Sequence, residues 1–156
     1  MTTNTVRKTL QQDEIPAVEL DFMNATHVEE LKIVREIGEL IDTFITANSN
    51  EKHSDENQDA LSQKLNTWLE HTISHFEREN ALMQETGFPA YEIHASEHAK
   101  ALNFLRELIN AWSEKQDIEL VKSYVFSAWP TWFEQHVNTM DMMTAKFAVM
   151  NGYPNP

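Results

Sequence analysis

The chain has no cysteine. That rules out disulfides, thiolate zinc sites, iron–sulfur clusters and cysteine nucleophiles, and it fits a reducing compartment such as the cytoplasm. Turn-formers are scarce too, with 3 glycines and 5 prolines in 156 residues, too few for a many-stranded β fold. No apolar run approaches the roughly 20 residues of a membrane helix. Met1 to Leu20 mixes charges without the apolar stretch of a signal peptide, so the expected setting is cytoplasmic, with no membrane partner. Basic side chains are the minority charge, 12 against 25 acidic, for a net charge of −13. A surface of that sign repels nucleic acid and attracts cations. Hydrophobic residues at 41% and charged residues at 24% make the balance of one ordinary globular domain.

The apolar residues that are present recur at helical spacing. Leu31, Val34, Ile37 and Ile41 mark a first helix from Met23. Ala47 to Ser54 reads as a loop, with Ser54 or Asp55 able to cap a second helix. Leu61, Leu65, Trp68 and Phe76 carry that helix to Gly87, ahead of Pro89. A third helix is expected from about Ala90 to Trp112, a turn over Ser113 to Asp117, and a fourth helix to about Met150. Pro130 falls inside the fourth and predicts a kink or a break there. The fold class is therefore all-α, an up-down-up-down four-helix bundle (21–156) behind an N-terminal arm (1–20).

Histidine is where the chemistry concentrates. Of the 7 histidines, His75 lies four residues before Glu79, His94 four before His98, and His136 five before Asp141. Residues four apart share a helix face and can aim at one point. Measured from the turns near residues 51 and 116, His27, His75, His98 and His136 all lie roughly 27–36 Å along their helices, so an up-down bundle brings them to one level. Burying five imidazoles and two carboxylates together without a cation is costly. Imidazole and carboxylate suit iron, copper or zinc. If Glu79 and Asp141 each bridge two ions and a solvent-derived oxo or hydroxo joins them, the donor set falls one short of two octahedral ions. A di-iron site of that kind can take a small diatomic ligand.

At these residues the chain resembles the hemerythrin family, in particular its bacterial single-domain members. The match spans roughly residues 22–150. It runs through His27 and Leu31, then His75-Phe76, Glu79, Met83, Phe88-Pro89, His94 and His98, and finally Trp132-Phe133, His136, Val137 and Asp141. The resemblance implies two iron ions. His94, His98 and His136 would hold one, His27 and His75 a five-coordinate second, with Glu79, Asp141 and an oxo or hydroxo group bridging. It implies reversible dioxygen binding by a carrier, storage or delivery protein rather than an enzyme. A dioxygen or nitric oxide sensor, a scavenger of peroxide or nitric oxide, and an iron buffer share the same site, and an unidentified protein partner would serve oxygen delivery or signalling. Trp132 and Phe133, on the turn before His136, are candidate walls of the ligand pocket. Three positions depart from the family's pattern: Asn24 stands where an Asp is usual, Asn80 where a Glu is frequent, and Pro130 is unusual.

Other readings explain less. His94 to His98 spells His-x-x-Glu-His, an inverted zinc-peptidase motif with Glu97 as base, but it leaves His27, His75, His136 and both carboxylates unused. A ferritin-like oxidase needs Glu-x-x-His pairs, and no histidine here has Glu three residues before it. Helical drift places His71 about 80° from Glu79, at the surface or just outside the site. His53 is expected in the far loop, and Met83 and Met140 as core fillers.

Overall fold

A computed structural model describes residues 9–47 and 54–153. Four helices follow one another: α1 (Asp21–Ala47), α2 (Ser54–Thr86), α3 (Tyr91–Lys115) and α4 (118–150). There is no strand among the described residues. Helix α1 packs on α2, α2 on α3, α3 on the start of α4, and α4 returns to α1 and α2, which closes the four-helix bundle. Most of the loop before α2, the Ser54 side chain, His53 and residues 1–8 lie outside the described residues.

Local signals explain the helix ends. Gly87 adopts φ +69°, and the bonds Phe88 N–H to Met83 O (2.9 Å) and Gly87 N–H to Gln84 O (3.3 Å) close α2 as a Schellman motif. Helix α3 runs past Trp112 to Lys115, so Ser113 to Lys115 are helical rather than part of the expected turn. Gln116, left-handed at φ 51°, ends it, and the Asp117 carboxylate caps α4 by accepting from Leu120 N–H.

Pro130 does not divide α4. Two π turns lie within the helix, at Tyr124–Ala128 and Val137–Asp141. In the first, Trp129 N–H reaches back five residues to Tyr124 O, so the ladder has already shifted where proline supplies no N–H.

The end of the bundle nearest the 48–53 and 116–117 connections is apolar. Ile37 and Ile41, Leu61, Leu65 and Trp68, Leu105 and Trp112, and Val121 and Val125 are all buried there. Each such aliphatic side chain contributes about 1.5–3 kcal/mol. Met83, Leu82, Ala145 and Ala148 close the opposite side. Met140, by contrast, is half-buried at the edge of a surface groove rather than in the core. Residues 9–20 of the arm pack on the bundle: Leu10, Val18 and Leu20 are buried. Gly38 has Thr9 Cγ2 and Phe126 Cζ at 3.1 and 3.2 Å from where a Cβ would stand, so the arm approaches α1 at a residue that has none. No helix among the described residues is long and apolar enough to cross a membrane.

Candidate metal centre

Between these two apolar ends lie His27, His75, Glu79, His94, His98, His136 and Asp141, all buried. Their donor atoms fall into two groups that share the carboxylates. Glu79, His94, His98, His136 and Asp141 form one, and His27, His75, Glu79 and Asp141 the other. Asp141 Oδ2 faces His27 Nε2 at 2.9 Å, while Oδ1 faces His136 and His94 Nε2 at 3.0 and 3.1 Å. Glu79 Oε2 faces His75 Nε2 at 2.6 Å, and Oε1 faces His98 Nε2 at 3.3 Å. Each carboxylate thus has one oxygen toward each group.

The spacing fits cations. Adjacent donors of an octahedral ion with bonds of about 2.1 Å stand about 3.0 Å apart, close to most of these separations. Glu79 Oε1, Asp141 Oδ1 and His98 Nε2 are buried without a hydrogen-bond partner, and a dry interior leaves such atoms unpaired only at a cost.

The second π turn positions the last pair. His136 and Asp141 are five residues apart, which in a regular α-helix sets them about 140° apart. Met142 N–H bonds back five residues to Val137 O, and the wider turn returns Asp141 to the His136 face.

Outer contacts orient the rings. His94 Nδ1 lies 2.7 Å from Thr144 Oγ1, and His98 Nδ1 lies 2.8 Å from Asn80 Oδ1. With Nε2 left to a cation, each Nδ1–H donates outward, and the Asn80 amide oxygen serves as acceptor. Phe76 stacks flat on His98 at 3.9 Å. Trp132 stacks on His136 at 4.6 Å, and Phe133 meets His27 edge-on at 5.5 Å, so both expected wall residues touch the cluster. Glu97 sits outside the ring, 3.5 Å from His136 Nδ1, rather than among the converging donors. Asn24 ties down the arm: its Oδ1 accepts from Val18 N–H and its Nδ2 donates to Val18 O, both at 2.8 Å. An amide does both where the usual carboxylate could only accept, and Asn24 borders a cleft of about 560 Å³ between the arm and His27. Glu30 has no place in the sequence reading. It is buried beneath His75, and its Oε1 accepts from Trp68 Nε1 and Thr72 Oγ1.

Without a cation, protons hold the charges. Burial lowers the His75 pKa, but the charge and hydrogen bond of Glu79 outweigh it and raise it to about 9. Burial and Asp141 push Glu79 up, yet His75 and His98 bring it down to about 2. Burial, only partly offset by Glu79, lowers His98 to about 4. Between pH 4 and 6.5 unfolding therefore adds a proton at His98, and stability rises with pH. Between 6.5 and 9 the folded chain holds the extra proton at His75, and stability falls. Metal-free protein is expected to resist urea best near pH 6.5, losing on the order of 1–3 kcal/mol toward either side. Urea midpoints across this range check it; a midpoint that climbs steadily to pH 9 contradicts it.

A family model described as the hemerythrin HHE cation binding domain matches residues 20–148. The chain is 30% identical over 125 residues to a bacteriohemerythrin of Aquifex aeolicus (strain VF5), covering 80% of this chain and 86% of that one. It is 34% identical over 88 residues to a bacteriohemerythrin of Ralstonia nicotianae (strain ATCC BAA-1114 / GMI1000), covering 56% of this chain and 63% of that one. No solved structure gives a significant match.

Proposed function

The chain belongs to the hemerythrin family, and from that membership we propose that it binds dioxygen reversibly at a non-haem di-iron centre. The observation that carries this reading is the pair of donor groups joined through Glu79 and Asp141. His94, His98 and His136 would hold one iron and His27 and His75 the other, with Glu79 and Asp141 shared between the two groups. The group with fewer protein donors contains His27, which borders the cleft beneath the arm and faces Phe133. That side is where a diatomic ligand would enter.

A bound pair of ferrous ions would supply the two electrons that reversible dioxygen binding needs. The chain's own part is to orient and to exclude water. Thr144 and Asn80 fix the tautomers of His94 and His98. Phe76, Phe133 and Trp132 line the rings with apolar surface and keep bulk water from the buried donors. A donor set dominated by neutral imidazole stabilises highly oxidised iron less than a carboxylate-rich one, which favours binding over oxygenation and a carrier over an enzyme. We place the protein in the cytoplasm, a setting its lack of cysteine fits. A sensor reading shares the site and would use the arm tied to Asn24 as its moving part. The visible spectrum of the reduced protein under argon, then air, then argon again tests the proposal.

A further inference from the structure

Glu30, His71 and His75 form a third group of donors on the outer side of the centre, with their ligand atoms within 4.8 Å of one another. Glu30 is 2% exposed, and its Oε1 is already engaged by Trp68 and Thr72. Its Oε2 has no hydrogen-bond partner, and neither have His71 Nε2 and His75 Nδ1, although all three are buried. His71 Nε2 stands 2.9 Å from Glu30 Oε2, but the two are not aligned for a hydrogen bond. That separation is close to the distance of about 3.0 Å between neighbouring donors on one ion. The His71 side chain is 19% exposed although its Nε2 is buried, so the ring lies at the surface edge with its donor atom just beneath.

We propose that Glu30 Oε2, His71 Nε2 and His75 Nδ1 form a loading site for a ferrous ion on its way to the buried centre. The proposal rests on the di-iron reading. His75 is the link, because its Nε2 faces Glu79 at 2.6 Å within the centre, its Nδ1 is buried without a partner, and the residue also belongs to the outer group. A neutral imidazole has one lone pair and serves one ion at a time. Once the inner iron takes Nε2, the proton resides on Nδ1, and the outer group loses its third donor. The site therefore empties as the centre fills, and it belongs to loading rather than to the finished protein. The net charge of −13 draws cations toward the protein as a whole.

The test is the rate at which metal-free full-length protein takes up ferrous iron under argon, with free iron removed by a chelator at timed intervals. His71→Ala removes the donor on the residue nearest the surface. Glu30→Gln removes the anionic one while keeping an acceptor for Trp68 and Thr72, so it serves where the first variant folds poorly. Both are expected to load about tenfold more slowly than the wild type, because the rate follows occupancy of the outer group, whose affinity falls by at least about tenfold when a supporting group is lost, and to reach the same final iron content. Uptake within about twofold of the wild type overturns the proposal, because His71 is then only a neighbour of Glu30. A lower final iron content in either variant also overturns it, because the residue then belongs to the resident centre. Iron is counted before any dioxygen is admitted: a wild type that takes up no iron defeats the di-iron reading, whereas equal rates in wild type and variants defeat the loading site alone.

Discussion

Replacing Asp141 with Asn should reduce bound iron from two per chain to one or none, in a protein that still folds. Asp141 is fully buried, and its two oxygens face different histidines, His27 on one side and His94 and His136 on the other. An amide keeps the volume and so spares the packing, but it removes a negative charge that the proposed pair of dications would share and leaves an NH2 group facing imidazole nitrogens. Losing a mere supporting contact weakens metal binding about 10–100-fold, and losing a shared ligand should exceed that. Iron per chain, read with the helical circular dichroism, checks the expectation. Two irons in Asp141→Asn would remove Asp141 from the bridging role. The neutral exchange Met143→Ala, at a residue 60% exposed, should keep both irons.

Two single-residue deletions should have opposite outcomes. Thr139 is exposed within the π turn Val137–Asp141, and its hydroxyl bonds only to Gln135 O at 2.7 Å. Removing it leaves Asp141 four residues after His136, and an ordinary α turn then sets the two on one face, as it does His75 and Glu79. The downstream helix, with Thr144 beside His94, keeps its register. Glu77 is equally exposed, but it lies in the regular turn between His75 and Glu79. Its deletion rotates everything beyond it by about 100°, carrying Glu79 away from the centre and Met83 out of the core. The chain lacking Thr139 should retain both irons, and the chain lacking Glu77 should lose them and much of its stability. Iron content and thermal unfolding of the pair decide it. Loss of iron on deleting Thr139 would mean that the π turn supplies geometry an α turn does not.

The same contrast shows what the sequence made legible. His75 with Glu79 and His94 with His98 are four apart on long regular helices, so periodicity alone put each pair on one face. Gly87 followed by Pro89 marked the end of α2 because a left-handed residue and a missing donor act locally. The five-residue gap from His136 to Asp141 held a clue that straight helical geometry could not use, since a π turn has no residue code of its own. Pro130 suggested a kink or a break; the α ladder does shift to a π turn just ahead of it, and the chain stays helical on both sides. Glu30 was hidden for another reason. It follows Glu29, and among 25 acidic residues nothing local distinguishes a carboxylate under Trp68 from one in water. The acceptors Asn80 and Thr144 come from helices that only the tertiary packing brings against His98 and His94.

Reversible dioxygen binding at two irons is the central claim, and one optical experiment bears on it most directly. The purified protein is loaded with ferrous iron, counted, reduced under argon, exposed to air and swept with argon again. The account predicts two irons per chain and a visible band that appears in air and fades under argon through repeated cycles. A band that persists under argon as ferric iron accumulates, or a chain that holds no iron, would contradict it.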